Sequence, residues 1–326
     1  IKANYDVVII GAGPAGAEAA KAFANGGYST LVIEEQRLNR EKACGGGIFV
    51  QEIIEFGPIP AEVIERSIRQ LTITSPNYSH TLELPVTLPS AAIVKRSRYD
   101  AHLQKLAQKA GAEFIELAKI VEVDLHPSHG EVAVVINNKK INISAKLIVD
   151  ASGAKSLLAK KLKIINGRKS EDYIISLQYW LELKKEEIDR DFSERIEFHF
   201  GSKLVPEGYV WVFPKQDVIG VGIGGLAKNL FDQSFKLKPA LDSFIKNHPL
   251  LKKGKVVLCQ GGLIPSTIYP QINGPYTLFI GEAAGIASPI HGGGIYYARK
   301  SARNAFDFGD KYLKTGNHKH LQEYEK

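Results

Sequence analysis

Residues 206–214 read PEGYVWVFP and set Tyr209, Trp211 and Phe213 at alternate positions between Pro206 and Pro214. Alternate side chains of a strand share a face, so the three rings build one aromatic wall while Val210 and Val212 face the other way. Such a wall can close a core or line a slot for an apolar ligand. A second stretch, GAGPAG at 11–16, suits phosphate chemistry. Gly11 permits a tight turn, Gly13 lets the backbone approach a pyrophosphate, and Gly16 lets a helix lie close on its strand, with Ala15 inside the same turn. The free N–H groups and dipole of the following helix attract the anion. A third stretch, ACGGGI at 43–48, sets the Cys44 thiol before Gly45, Gly46 and Gly47, where backbone can come close to a ligand.

These residues need elements to hold them. YDVVIIGAGPAGAEAAKAFANGGYSTLVIEE reads as strand, alanine-rich helix and second strand. Glu34 ends the second strand, where a carboxylate accepts hydrogen bonds from a dinucleotide ribose, and Glu35 is its alternative. A second G-x-G-x-x-G, at Gly220, Gly222 and Gly225, is followed by no strand ending in an acid. It reads as a glycine-rich strand that needs close backbone approach. KRSRYDAHLQKLAQKAG is a helix ended by Gly111, and KLIVDASGAKS is a buried strand running into Asp150 and Gly153. YTLFIGEAAGIASPIHGGGIYYARKSA gives a strand, then Gly281 and Glu282, then His291 with Gly292, Gly293 and Gly294, and a helix from Ile295. In YIISLQYWLEL, Tyr173, Ile175, Leu177, Tyr179, Leu181 and Leu183 share one face, and in RIEFHF, Ile196, Phe198 and Phe200 do the same. Both are strands with a covered face, and a helix near 234–247 is expected on them.

The 326 residues carry 42 Lys and Arg against 35 Asp and Glu, a net charge of +7 that favours anionic partners. Apolar runs fall far short of the ~20 residues of a membrane span. Cys44 and Cys259 offer no disulfide framework, which points to the cytoplasm. The chain has no methionine, so the initiator lies outside it, and no signal peptide is expected within it. No zinc spacing appears, and no metal is expected.

On these motifs the sequence resembles the FAD-dependent geranylgeranyl reductase family, within the aromatic-hydroxylase-type flavoproteins. The resemblance covers almost the whole chain. It rests on P-x-x-Y-x-W-x-F-P at Pro206–Pro214, ACGGGI at 43–48, R-x-x-[FY]-D at Arg96, Tyr99 and Asp100, GGLIP at 261–265 and the glycine turn. It implies an α/β fold with a Rossmann-type FAD-binding domain, at 1–60, 95–165 and 270–326. An inserted antiparallel β-sheet substrate domain follows at 61–94 and 166–269. It places FAD against Gly11, Gly13, Ala15, Gly16, Glu34 or Glu35, Cys44, Gly45, Gly46, Arg96, Asp150, Gly281, Glu282, Gly292, Gly293, Gly294 and Ile295. Members usually have Asp where Glu282 stands, and a polar-Gly-x-Gly pattern where this chain has His291 and three glycines.

The substrate implied is a prenyl chain on a lipid or diphosphate, with an archaeal ether-lipid precursor as the natural class and chlorophyll or quinone side chains as others. Its pocket is expected at Gly46, Gly47, Tyr209, Trp211, Phe213 and His291. Saturating an alkene takes a hydride, which a reduced flavin supplies, and a proton from a group in reach of the other carbon. Cys44 is the first candidate donor, its alternative role being a small buried hydrophobe. Tyr209 and a water are the other donors, and Trp211 is expected to hold the alkene. His80, His199 and His291 read as ordinary loop or sheet residues. Electrons come from outside, from NAD(P)H, reduced deazaflavin or ferredoxin. Lys155, Lys160, Lys161, Lys163, Arg168 and Lys169 form a solvated basic face or touch an anionic membrane. A monooxygenase or halogenase of the same fold, and a non-catalytic basic binding protein, are the rival readings. No nucleic acid partner is expected.

Overall fold

The computed structural model describes residues 1–75, 80–85, 91–154, 156–162, 169–288 and 291–325. The chain divides into two compact units. Ile1–Arg40, Asp100–Arg168 and Pro265–Lys326 form the first, and Glu41–Tyr99 with Lys169–Ile264 form the second.

In the first unit the β-branched run of the strand Asn4–Ile10 is buried on both faces, as in a central parallel strand. It pairs in parallel with Lys139–Asp150 on one side and Thr30–Ile33 on the other, and Thr277–Phe279 and Glu113–Ile115 extend the parallel set. Ile10, Ile33, Ile115, Asp150 and Phe279 thus end at one edge, the edge where open α/β sheets bind ligands. The helices Pro14–Asn25 and Ile295–Thr315 cover one face, packing Phe23, Ala302 and Ala305 on Val7, Ile9 and Leu147. Small residues let these helices approach: a Cβ on Gly309 would lie 2.8 Å from the Phe23 ring. Phe23 is fully buried, which contributes on the order of 2–3 kcal/mol.

The second unit holds a seven-stranded sheet in the order Lys255–Pro265, Tyr173–Glu182, Val218–Leu226, Gly208–Pro214, Arg195–Phe200, Gln70–Thr74 and Thr81–Pro85. From Tyr173–Glu182 onward its pairings are antiparallel except that of Arg195–Phe200 with Gln70–Thr74, which is parallel. The expected covered face is present in Tyr173–Glu182: Tyr179 and Leu181 pack on Leu241 and Phe244 of the helix Leu237–Asn247, with Ile175, Leu177 and Leu183 against them. In Arg195–Phe200 the helix meets the opposite face instead, His199 lying against Phe244 while Phe200 is exposed. A three-stranded sheet joins Gly47–Phe49 and Ile64–Ile68 to the two sides of Ala91–Val94. These pairings put 41–60 in the second unit, where the sequence reading had placed them in the first. Among the described residues no helix is long and apolar enough to cross a membrane.

Candidate functional site

The first unit builds a cradle from its glycine turn. Gly11 has φ +101°, and a Cβ there would sit 2.5 Å from the Ala151 carbonyl oxygen. A Cβ on Gly16 would overlap the Gly11 carbonyl. Both glycines are demanded by the protein's own backbone. Gly13 differs, because nothing lies within 4 Å of its Cβ position. It stands just before the helix Pro14–Asn25, which has no side-chain cap, so the space a side chain would fill faces uncapped amides. That arrangement fits the pyrophosphate of a dinucleotide. Glu34 is buried at the end of its strand and accepts the Ala12 and Gln36 amides, each at 2.9 Å, while Glu35 is exposed. The Gln104 amide donates to the Ala12 carbonyl at 2.9 Å and fixes the turn from the helix side.

A second helix start lies in the same unit. Gly281, at φ +57°, is hemmed by Ala15 and Ala298, whose Cβ atoms would be 3.1 and 3.2 Å from its own. The Glu282 carboxylate lies between Gly153 and Gly294, 3.6 and 3.5 Å from their Cβ positions. Gly294 precedes the helix Ile295–Thr315, again with no side-chain cap, and Ile295 is half-buried in its first turn. The two helices are locked by Arg299, whose guanidinium donates to Glu18 at 2.7 and 3.1 Å, and by Arg303 at 3.1 Å. Burial pushes the Glu18 carboxyl up, and Arg299, then Lys21 and Arg303, more than offset it and hold it below its ordinary range. Sequence reasoning missed this pair, since Glu18 reads as a surface residue of an amphipathic helix.

Two groups expected at the cofactor in this unit have partners within the protein. Asp150 is fully buried and its oxygens accept the Ser152 amide and hydroxyl, the Ser156 hydroxyl and the Leu158 amide at 2.6–3.0 Å. Its capacity is spent on holding the loop after its own strand, and burial raises its carboxyl despite those bonds. The Gly293 amide also has a partner, donating to His291 Nδ1 at 3.1 Å. His291 itself lies at the surface, and the loss of water around its ring lowers its imidazole.

The second unit gathers the thiol and the aromatics. A backbone bond from Val94 to Gly46, at 2.9 Å, joins ACGGGI to the segment leading into Arg96, which is buried at the start of the helix Arg96–Lys109. Cys44 is half-exposed, and its sulfur accepts the Gly46 amide at 3.4 Å. Gly45 and Gly47 lie against Phe213, with Cβ positions 2.7 and 3.3 Å from its ring, and Gly45 also lies 3.4 Å from Trp211 Nε1. Phe213 proves to be core, buried with Ile68, Ala91, Ile93 and Ile196. It supports the glycine run. Tyr209 and Trp211 remain half-buried, with ring centroids 5.9 Å apart. Burial, and then the charge of Cys44, push the Tyr209 hydroxyl up to about 12.

The glycine-rich strand Val218–Leu226 explains how the wall fits. Gly220, Gly222 and Gly224 lie opposite Phe213, Trp211 and Tyr209 on one side and Trp180, Gln178 and Ser176 on the other. A Cβ on Gly222 would overlap the Trp211 indole. The close approach expected of this stretch therefore makes room for the aromatics. Lys215, at 1 % exposure, sits directly after the motif and donates to the Gly45 carbonyl at 3.0 Å. Its position beside Pro214 was visible in the sequence, but a lysine reads as exposed by default.

Other expectations fall away from these groups. His199 is buried in an ionic cluster with Glu197, at 3.0 Å. His80 is exposed, and its amide donates to the Ser75 hydroxyl at 3.0 Å. Of the basic cluster, Lys155, Lys163 and Arg168 lie outside the described residues, while Lys160, Lys161 and Lys169 are exposed, the last paired with Glu171 at 3.7 Å. His126, His129 and Glu131 bring ligand atoms within 4.8 Å of one another on a hairpin of the first unit, with no spacing that the sequence reading had marked.

Comparison with known proteins bears on both units. Residues 6–193 match the family model for FAD dependent oxidoreductases, and residues 172–264 match that for the geranylgeranyl reductase catalytic domain. The chain is 32 % identical to a digeranylgeranylglycerophospholipid reductase of Thermoplasma acidophilum, over 99 % of this chain and 83 % of that one. It is 31 % identical to a chloroplastic geranylgeranyl diphosphate reductase of Oryza sativa subsp. japonica, over 91 % of this chain and 64 % of that one. A crystal structure of a geranylgeranyl bacteriochlorophyll reductase-like protein from Thermoplasma acidophilum superposes with a TM-score of 0.91 at 29 % identity, covering 99 % of this chain and 82 % of that one. A flavin-dependent brominase shares the fold, with a TM-score of 0.79 at 19 % identity over 98 % of this chain and 82 % of that one. With its FAD-type cradle, its antiparallel sheet and its aromatic motif all accounted for, the chain belongs to the FAD-dependent geranylgeranyl reductase family.

Proposed function

We propose that this chain hydrogenates carbon–carbon double bonds of a prenyl chain carried on a lipid or a diphosphate, with Cys44 as proton donor and Trp211 and Tyr209 as the apolar guide. The observation that carries the reading is the meeting of the half-exposed Cys44 thiol loop with an aromatic wall that lies in the family's catalytic segment and is built over a strip of glycines. A prenyl chain offers methyl branches and alkenes, so its slot must be apolar and shaped by rings. FAD, when bound and reduced, supplies the hydride.

The chain's own residues do the rest. Gly11 to Gly16 and the first amides of Pro14–Asn25 hold the pyrophosphate, and Glu34 holds the ribose. Glu282, Gly294 and Ile295 serve the flavin end, where uncapped amides favour negative charge. Trp211 and Tyr209 orient the alkene. Cys44 Sγ–H gives its proton to the second alkene carbon. Tyr209 is the poorer acid, since its hydroxyl is pushed up to about 12 and holds its proton at neutral pH.

A digeranylgeranyl ether lipid is the substrate most consistent with the archaeal relatives. An external reductant, NAD(P)H, reduced deazaflavin or ferredoxin, restores the cofactor. The enzyme works in the cytoplasm with peripheral contact to anionic membrane through its +7 charge, which vesicle binding independent of anionic lipid and salt would contradict. The residue assignment is tested by rapid mixing of reduced holoenzyme with a prenyl lipid under anaerobic conditions. Cys44→Ala and Trp211→Ala should keep FAD and slow flavin oxidation, the latter by on the order of a hundredfold through misplacement of the alkene. Parental rates in both variants would remove these residues from the reaction.

A further inference from the structure

The second unit buries a cation that the reaction above does not use. Lys215 is 1 % exposed. A buried ammonium is costly unless hydrogen-bonded or paired, so its neighbours indicate its purpose. Its Nζ donates to the Gly45 carbonyl at 3.0 Å and stands 5.5 Å from the centre of the Trp180 ring. Among the described residues no carboxylate forms an ion pair with it. The carboxylates that face it are engaged elsewhere: Glu65 with Arg98 at 3.1 Å, Lys95 at 3.8 Å and the Gln216 amide at 3.1 Å, and Glu41 with the Ser97 hydroxyl. Lys95, a like charge, is held by Asp217 at 2.7 Å. The remaining titratable neighbour is Cys44, the residue before the carbonyl that Lys215 grips.

The surroundings are shaped to keep the ammonium there. The Cβ position of Gly220 is 3.2 Å from Lys215 Nζ and 3.9 Å from Gln178 Oε1, so any side chain at 220 would press on the amine. Gln178 is 2 % exposed, and among the described residues its Oε1 and Nε2, together with Trp180 Nε1 and Trp211 Nε1, have no hydrogen-bond partner. Behind the thiol loop lies a buried polar patch that is rich in donors, an environment suited to negative charge.

We propose that Lys215 is a positioning residue for the Cys44 thiol: its ammonium fixes the Cys44–Gly45 segment through the Gly45 carbonyl, and its charge offsets the negative sulfur left when the S–H bond breaks and the proton passes to the alkene carbon. The inference rests on Cys44 as the donor. Burial pulls the Lys215 ammonium down to about 8, against the charge of Cys44 first and of Glu65 and Glu41 after it, with Lys95 adding to the fall. The support given to Cys44 is therefore present at neutral pH and lost as pH rises through that value.

The test uses flavin-loaded protein in a Cys259→Ser background, so that iodoacetamide reports on Cys44 alone. Lys215→Met should slow alkylation of Cys44 at pH 7 by about tenfold, the loss of one nearby opposite charge, and Lys215→Arg should restore most of it. Equal rates in parent and Lys215→Met between pH 6 and 9, with unchanged circular dichroism, would overturn the proposal. If Lys215→Met does not fold, Gly220→Ala provides the second arm by displacing Nζ. It should also slow alkylation, and a parental rate there would overturn the proposal as well. Failure of the underlying reading is separate: parental flavin oxidation in Cys44→Ala removes the thiol as donor whatever the alkylation rates show.

Discussion

Trp211 lies over Gly222 on the neighbouring strand, so close that a Cβ at 222 would overlap the indole. The ring's place is set by what the facing residue lacks. Gly222→Ala should therefore move Trp211 without touching the cradle of the first unit. Retained FAD with prenyl reduction lowered by at least tenfold is the expected outcome, read from flavin absorbance and single-turnover rates. Parental turnover would show that the ring's position does not matter.

Gly13 and Gly16 should separate binding from folding. Nothing in the protein meets a Cβ at 13, whereas one at 16 overlaps the Gly11 carbonyl. Gly13→Val should purify folded but colourless, with its melting temperature near that of the flavin-free parent. Gly16→Val should lose several kcal/mol through overpacking and express poorly. A yellow Gly13→Val protein would displace the pyrophosphate from this turn.

Acid stability should depend on Glu197. Burial raises its carboxyl, but His199 at 3.0 Å, His248 at 3.7 Å and Arg195 at 2.9 Å bring it down to about 2. A folded value below the ordinary one means stability that is full above about pH 4.5 and lost as pH falls towards 2, by about 3 kcal/mol. Urea midpoints measured from pH 5 to pH 3 should fall less steeply in Glu197→Gln than in the parent. Identical slopes would show that the cluster contributes nothing to the acid limb.

The parts of this fold that were legible are those set by local pattern. Asn4–Ile10 and the glycine turn follow from a short apolar run and a backbone demand at Gly11 and Gly16 that only glycine meets. The covered face of Tyr173–Glu182 follows from strict alternation. Residues 41–60 were misplaced because the strand Gly47–Phe49 is three residues long and its partner, Ala91–Val94, lies more than forty residues away. Asp150 looked like a ligand because it ends a strand at the binding edge, while its four donors become visible only once the loop from Ser152 to Leu158 is folded. Phe213 shares the phase of Tyr209 and Trp211, and it was the small sheet above it, invisible to periodicity, that turned it into core. Lys215 and Gln178 were passed over because buried polar groups have no sequence signature apart from the neighbours that bury them.

The central claim is that the reduced protein saturates prenyl double bonds. Protein isolated with FAD, reduced anaerobically and mixed with a digeranylgeranyl lipid, should show flavin oxidation matched one for one by lipid molecules heavier by pairs of hydrogen atoms. No gain of hydrogen under these conditions, with reoxidation only when oxygen and an aromatic compound or halide are supplied, would contradict it and assign the scaffold to the oxygen chemistry of its structural neighbours.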